Sequence, residues 1–233
     1  MSDRSSVFLY LGLGCVTVLV LCAVCVAGAG FATYRTVKRI TEDIEDPEKR
    51  EDAVKRILGA DELPPGYHPV VGMEIPFSVM KLAVLSDTPS GADGQPGGIH
   101  ERGFIYVDMI MSAKDEKELR AYFEGETDDP SVLKNNRIDV NTDDVFERGV
   151  IETDEADLLY LVQRGDISAQ RFGGHGLGSF TLVDCPEDRR LRLAVWIGPD
   201  PDPSRPVEEL DLTGTPGDKQ AIAAFLGRFS LCP

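Results

Sequence analysis

A histidine among glycines is the chain's most distinctive candidate for chemistry. The segment GGHGLG, residues 173–178, places His175 between Gly174 and Gly176. Glycine-rich loops hold phosphate groups when their backbone N–H groups point at the anion from a helix N-terminus. Here strand patterns stand on both sides, and no Gly-Lys-Ser/Thr sequence comes after. The pattern predicts a flexible connection between strands, with Gly174, His175 and Gly176 as weak candidates for ligand contact.

Motifs for nucleophilic catalysis are missing from the sequence. It contains no Gly-x-Ser-x-Gly pattern. Cys185 is followed by proline and a charged cluster, a setting that does not favour an activated thiolate. Among 40 acidic residues, two neighbouring carboxylates carry no information about acid–base roles. We therefore predict no catalytic residue. The alternative is a membrane-anchored hydrolase that uses His175 and nearby carboxylates at residues 173–178.

Metal-ligand spacing is equally weak. His68, His100 and His175 are far apart in sequence, without the short spacings typical of zinc sites. The segment DVNTDD, residues 139–144, begins like a calcium-binding loop, but such a loop needs glycine at position six and glutamate at position twelve. Those positions hold Asp144 and Val150. We predict neither a metal nor a cofactor.

Cysteine usage leaves two interpretations open. Three of the five cysteines lie in one apolar run near the N-terminus, so Cys185 and Cys232 are the only two in the rest of the chain. In an exported domain these two could form a disulfide that ties the chain terminus to the sheet. Alternatively, they are two unrelated buried thiols.

The charge distribution limits the class of protein. The chain carries 40 acidic and 24 basic residues, a net charge of −16, and all of that excess lies in residues 35–233. This excludes a nucleic-acid binder that depends on clustered Lys and Arg. A hydrophobic content of 42% excludes a wholly disordered chain. We expect the partner of such an acidic domain to be a basic protein or a cation.

The segment from Val7 to Tyr34 contains no charged residue. A helix needs about 20 apolar residues to cross a bilayer, so residues 7–34 predict a transmembrane helix after a short tail, residues 1–6. We expect this helix to remain as an uncleaved anchor in the lipid bilayer. Its orientation is contested, because Lys and Arg after the span favour a cytoplasmic domain, whereas anchors with very short tails usually export the domain on their C-terminal side. We favour export to the outside of the cell membrane.

The remaining elements predict an α+β domain with an antiparallel sheet and two short flanking helices. Residues 35–60 predict a charged helical stalk whose last helix begins at Asp46-Pro47 and ends at Gly59. Residues 61–233 form the globular domain, with central strands predicted at 77–85 and 104–111. Arg164-Gly165-Asp166 predicts a tight turn between two further strands. Caps at Ser112 and Thr215 predict the starts of the two helices.

These observations predict a single-pass membrane protein with a non-catalytic acidic α+β domain. Its role would be binding or assembly in the cell envelope.

Overall fold

The computed structural model describes residues 46–75, 79–89, 97–129, 131, 138–139, 145–153, 155–169, 172–185 and 190–232. The chain divides into two compact units, Met1–Glu42 and Asp43–Pro233, and every described residue belongs to the second. The predicted tail and transmembrane helix therefore lie outside the described residues. Within the described residues, no helix is both long and apolar enough to cross a membrane.

The second unit is an α+β domain built on one antiparallel sheet, as the sequence predicts. Eight strands occupy seven positions in the order β1-β2-β3-β8-β7-β6-β4, because β5 pairs with the same edge of β6 as the short β4. Three α-helices and one 3₁₀ turn complete the described elements; two of the helices are the predicted flanking helices, and the third is the last helix of the predicted stalk. In chain order they are α1 Pro47–Leu58, β1 His68–Ile75, β2 Met80–Ser86, β3 Gly103–Ile110, α2 Ala113–Phe123, β4 Ile138–Asp139, β5 Val145–Glu152, β6 Asp157–Ala169, β7 Phe172–Asp184, β8 Arg190–Gly198, the 3₁₀ turn Val207–Glu209 and α3 Lys219–Leu226.

The sheet buries apolar side chains on both faces. Along β2, Leu82 and Val84 join one core cluster and Ala83 and Leu85 join the other, as the alternation of a strand requires. Helix α2 packs on the first face, and α1 and α3 pack on the second. A sheet covered on both faces explains why its central strands read as nearly continuous apolar runs.

Helix α1 corrects the predicted stalk. Its start and end agree with the sequence signals, since Asp46 accepts hydrogen bonds from two backbone N–H groups and Gly59 adopts a left-handed conformation with φ 59°. The helix does not stand apart from the domain, because Val54 and Leu58 are completely buried against the sheet. Gly72 of β1 permits this close approach, since a Cβ atom there would lie 2.8 Å from the backbone nitrogen of Val54. Residues 47–58 of the predicted stalk therefore belong to the domain.

The hairpin of β6 and β7 corrects two predicted loops. Residues 164–166 lie inside β6, and residues 173–178 lie inside β7, where His175 pairs with Asp166 and Gly176 pairs with Gly165. The glycines are needed for reasons other than flexibility. Gly165 and Gly176 have φ angles of 122° and 156°, which side chains disfavour. A Cβ atom on Gly176 would also overlap the carbonyl oxygen of Gly198 on β8. The predicted flexible connection is a strand.

The last helix begins later than predicted. Its N-cap is Asp218, which accepts a hydrogen bond from the N–H of Gln220. The hydroxyl of Thr215, the predicted cap, instead donates to the carbonyl of Leu212 and accepts from the N–H of Gly217, forming a turn before the helix. The N-cap of α2 is Ser112, in agreement with its sequence signal.

Candidate binding site

An open cavity of about 420 Å³ lies where helix α3, the C-terminal segment 227–232 and the turn between β5 and β6 meet. Apolar side chains from strands β6 and β7, from α3 and from the C-terminal segment contribute to its lining. They are Leu158, Val183, Ala223, Leu226, Phe229 and Leu231. Such a surface suits an apolar group of a ligand, because covering it removes apolar area from water.

The C-terminal wall of the cavity is covalently fixed. Cys232 lines the cavity and is joined by a disulfide to Cys185, the residue that comes after β7, with a Cα–Cα distance of 5.6 Å. Phe229 and Leu231 of the same segment are each 6% exposed. The segment is therefore held both by its bond to the strand and by its own apolar packing.

The opposite wall is a turn whose polar groups are already used. The backbone N–H of Thr153 donates to the carbonyl oxygen of Ala156, at 3.1 Å. The Thr153 hydroxyl donates to the same carbonyl and accepts from the N–H of Ala156, at 2.7 and 3.0 Å. A hydroxyl engaged twice within its own turn shapes the wall and is poorly placed to act as a nucleophile.

Charged groups stand at the mouth of the cavity. Glu155 and Arg228 both line it and are both exposed. Among the described residues that line the cavity there is no histidine. A lining that combines apolar side chains with polar groups, and a carboxylate and a guanidinium at the entrance, can hold an apolar group and orient charged groups beside it.

An aromatic cluster keeps α3 in place beside the cavity. The ring of Trp196 on β8 stacks on Phe225 of α3 at a centroid distance of 4.5 Å and an angle of 3°. The indole N–H of Trp196 donates to the hydroxyl of Tyr67 at 2.8 Å. Burial raises the pKa of Tyr67, while the hydrogen bond from Trp196 acts to lower it. Because its pKa is raised, the phenol of Tyr67 is neutral at physiological pH. The stacking of Trp196 on Phe225 anchors α3 to the sheet.

The predicted ligand residues lie elsewhere. His175 faces Asp166 across the hairpin, with 2.9 Å between Nδ1 and Oδ1, and the two side chains are 69% and 97% exposed. Gly174 and Gly176 flank it on β7. Val183, which lines the cavity, is eight residues further along the strand, or about 26 Å at 3.3 Å per residue. The structure thus pairs His175 with a carboxylate but does not bring it to the cavity.

A second cluster, in the loop between β2 and β3, has potential ligand atoms close enough together to bind one cation. The ligand atoms of Asp87, His100 and Glu101 all lie within 4.8 Å of one another. The two carboxylate oxygens of Asp87, however, accept the backbone N–H groups of His100 and Glu101, at 3.1 and 3.0 Å. Burial acts to raise the pKa of Asp87, but these hydrogen bonds outweigh it and the pKa is lowered. The carboxylate thereby joins the two ends of the loop between β2 and β3.

The guanidinium of Arg164 has a structural role. Its Nη1 and Nη2 atoms donate to the carbonyls of Arg205 and Asp202, both at 2.6 Å, and its Nε atom pairs with the carboxylate of Asp200. Arg164 therefore fastens the acidic loop after β8 to the sheet. Residues 164–166 are part of strand β6 and do not form the tight turn that the sequence predicted.

No protein-family model matches the chain, and comparisons with curated proteins and with solved structures find no match. The fold defines the class as an α+β domain with a single antiparallel sheet. Apart from Cys232, sequence reasoning missed the residues of the cavity. These residues come from distant parts of the chain and form no motif. Cys232 was therefore the one residue whose sequence signal pointed toward the cavity.

Proposed function

We infer that the protein is a single-pass membrane protein whose acidic α+β domain is exported and binds a partner through the cavity beside the disulfide. The cavity carries the inference. It has apolar side chains beside polar groups in its lining, a covalently fixed wall and a charged mouth, and no histidine among its described residues. These are properties of a recognition site.

The disulfide supports export. Structural disulfides form and persist in oxidising compartments and are rare in the cytosol. Cys185 is 7% exposed, whereas Cys232 is partly exposed, so an external reductant can reach the bond through Cys232. Export is compatible with the membrane anchor that we propose at residues 7–34.

The partner we propose is an extended segment of a basic protein. One of its apolar side chains would enter the cavity, and a basic side chain would lie near Glu155. The net charge of −16 would attract such a partner over distances of about a Debye length and accelerate association at low salt.

Photo-crosslinking from two adjacent positions tests the site. We would replace Ala223, which lines the cavity, with a photoreactive phenylalanine analogue in the full-length protein in intact cells. The matched control is Ala224, which is exposed on the same helix. We expect a crosslink to a basic protein from position 223 that weakens as salt rises. Equal yields from both positions, or a yield independent of salt, would contradict the proposal.

Cysteine labelling tests the orientation separately. With a membrane-impermeant maleimide on intact cells, we expect labelling of Cys185 and Cys232 only after treatment with an impermeant reductant. A variant carrying C185A and C232S provides the background. Labelling that requires cell lysis would place the domain in the cytoplasm.

The hydrolase alternative is supported by one contact, the pairing of His175 with Asp166, because a carboxylate can orient a histidine as a general base. The exposure of both side chains weighs against it. A hydrolytic activity that is lost in H175A would favour this alternative over a binding role.

A further inference from the structure

Methionines are concentrated at one corner of the domain. Of five in the chain, one is Met1, and the other four are Met73, Met80, Met109 and Met111. All four pack against the same core cluster, on the face that carries α2, and all four are partly exposed. They lie on or next to β1, β2 and β3, at the end of the sheet where β2 begins and β3 ends.

The strand register brings three of these side chains together. Met80 is directly opposite Met109, and it is also opposite Ile75 on β1. Met73 is two residues from Ile75, so it is the diagonal neighbour of Met80. Directly opposed residues on one face have Cβ atoms about 5 Å apart, and diagonal pairs about 7–8 Å. Methionine has three rotatable side-chain bonds, so the thioether sulfurs can converge.

We propose that this methionine corner binds a soft monovalent cation, Cu(I) or Ag(I), through thioether sulfurs. Thioethers are soft, neutral ligands that select Cu(I) over hard cations such as Mg²⁺ or Ca²⁺. Lys81 and Asp108 oppose each other in the register one position from Met80 and Met109, so they point to the other face of the sheet. Because the thioether ligands are neutral and no charged side chain of this pair faces the site, the bound cation would retain its full positive charge. The negative net charge of the domain would attract such a cation.

The four methionine side chains are themselves partly exposed, so a cation can reach this corner from solvent. The flexible methionine side chains can rearrange to bring their sulfurs to one cation, which leucine side chains cannot do.

Methyl NMR on the full-length protein in detergent tests the proposal. The protein would carry [methyl-¹³C]methionine, with the three anchor cysteines, Cys15, Cys22 and Cys25, replaced by serine so that their thiols do not compete. Titration with Ag(I) should shift the methyl signals of at least three corner methionines together and leave Met1 unchanged. Zn²⁺ should shift none of them. Cu(I) should reproduce the Ag(I) result in competition with a bicinchoninate chelator.

Leucine substitutions provide the complementary variant. M80L combined with M109L nearly conserves side-chain volume, so the fold should be retained, which unchanged Trp196 fluorescence would verify. We expect this variant to bind Ag(I) at least tenfold more weakly. If Ag(I) shifts none of the corner methyl groups, or if the variant binds as tightly as the parent, the corner is an apolar surface and the proposal is wrong.

Discussion

Replacing Cys185 by alanine and Cys232 by serine removes the covalent link between strand β7 and the C-terminal wall of the cavity. The bond joins residues 47 positions apart. In the chain-entropy description, closing a loop of this length removes unfolded-state entropy that corresponds to about 4 kcal/mol at about 25 °C. We expect the variant to lose about this much free energy of unfolding, because the loss arises mainly in the unfolded chain.

The single tryptophan makes the effect measurable. Trp196 stacks on Phe225 of α3, only a few residues before the C-terminal segment, so its fluorescence reports whether α3 is docked. Urea unfolding of the full-length protein in detergent should shift to a midpoint lower by about 2 M, for an m value of about 2 kcal/mol/M. Adding reductant to the parent protein should produce the same shift, and adding it to the variant should produce none.

Two outcomes would refute this reasoning. If the parent protein has the same midpoint with and without reductant, the two cysteines are not linked in solution. If the variant is destabilised in the folded baseline, with red-shifted Trp196 emission before any urea is added, the bond holds α3 in place directly. The entropic estimate would then be the wrong explanation.

Two further perturbations test other parts of the domain. R164A should lower the free energy of unfolding by about 2–3 kcal/mol, because it leaves the carboxylate of Asp200, which is 6% exposed, without its cation. It should also make residues 199–206 easier to cleave with protease. The control R205A removes an exposed ion pair in the same loop and should change both measurements little. D87N should cost about 1–2 kcal/mol at neutral pH by weakening two hydrogen bonds. Because the pKa of Asp87 is lower in the folded protein than in the unfolded chain, its contribution is present above the unfolded pKa and is lost as pH falls through the lower folded pKa, so parent and D87N should converge in acid. A constant difference in urea midpoint down to acid pH would contradict this.

The sequence by itself determined the local parts of this fold. Asp46 and Gly59 mark the ends of α1 because a side-chain acceptor and a left-handed glycine satisfy the helix termini without help from the rest of the chain. The stripe of Ile222, Phe225 and Leu226 on α3 is buried as its spacing predicts. These signals depend on contacts between residues a few positions apart, so they can be read directly.

Strand β1 was not predicted from the sequence, because its Pro69 and Gly72 interrupt the strand pattern. Gly72 is explained only by α1, which packs against it from a different part of the chain. The glycines of 173–178 were predicted as a loop for a similar reason. Gly176 is explained by its close approach to Gly198 and its pairing with Gly165, and Gly178 by its close approach to the side chain of Ile167.

The candidate site depended almost wholly on tertiary structure. Thr153, Leu158, Val183 and Leu226 become neighbours only when the β5–β6 turn, two strands and the last helix pack together. The sequence identified Cys185 and Cys232 as a candidate pair, but only the packing of the C-terminal segment against β7 brings them into bonding distance. A cavity is the space left between elements that meet across the fold, so no local pattern in the chain encodes it.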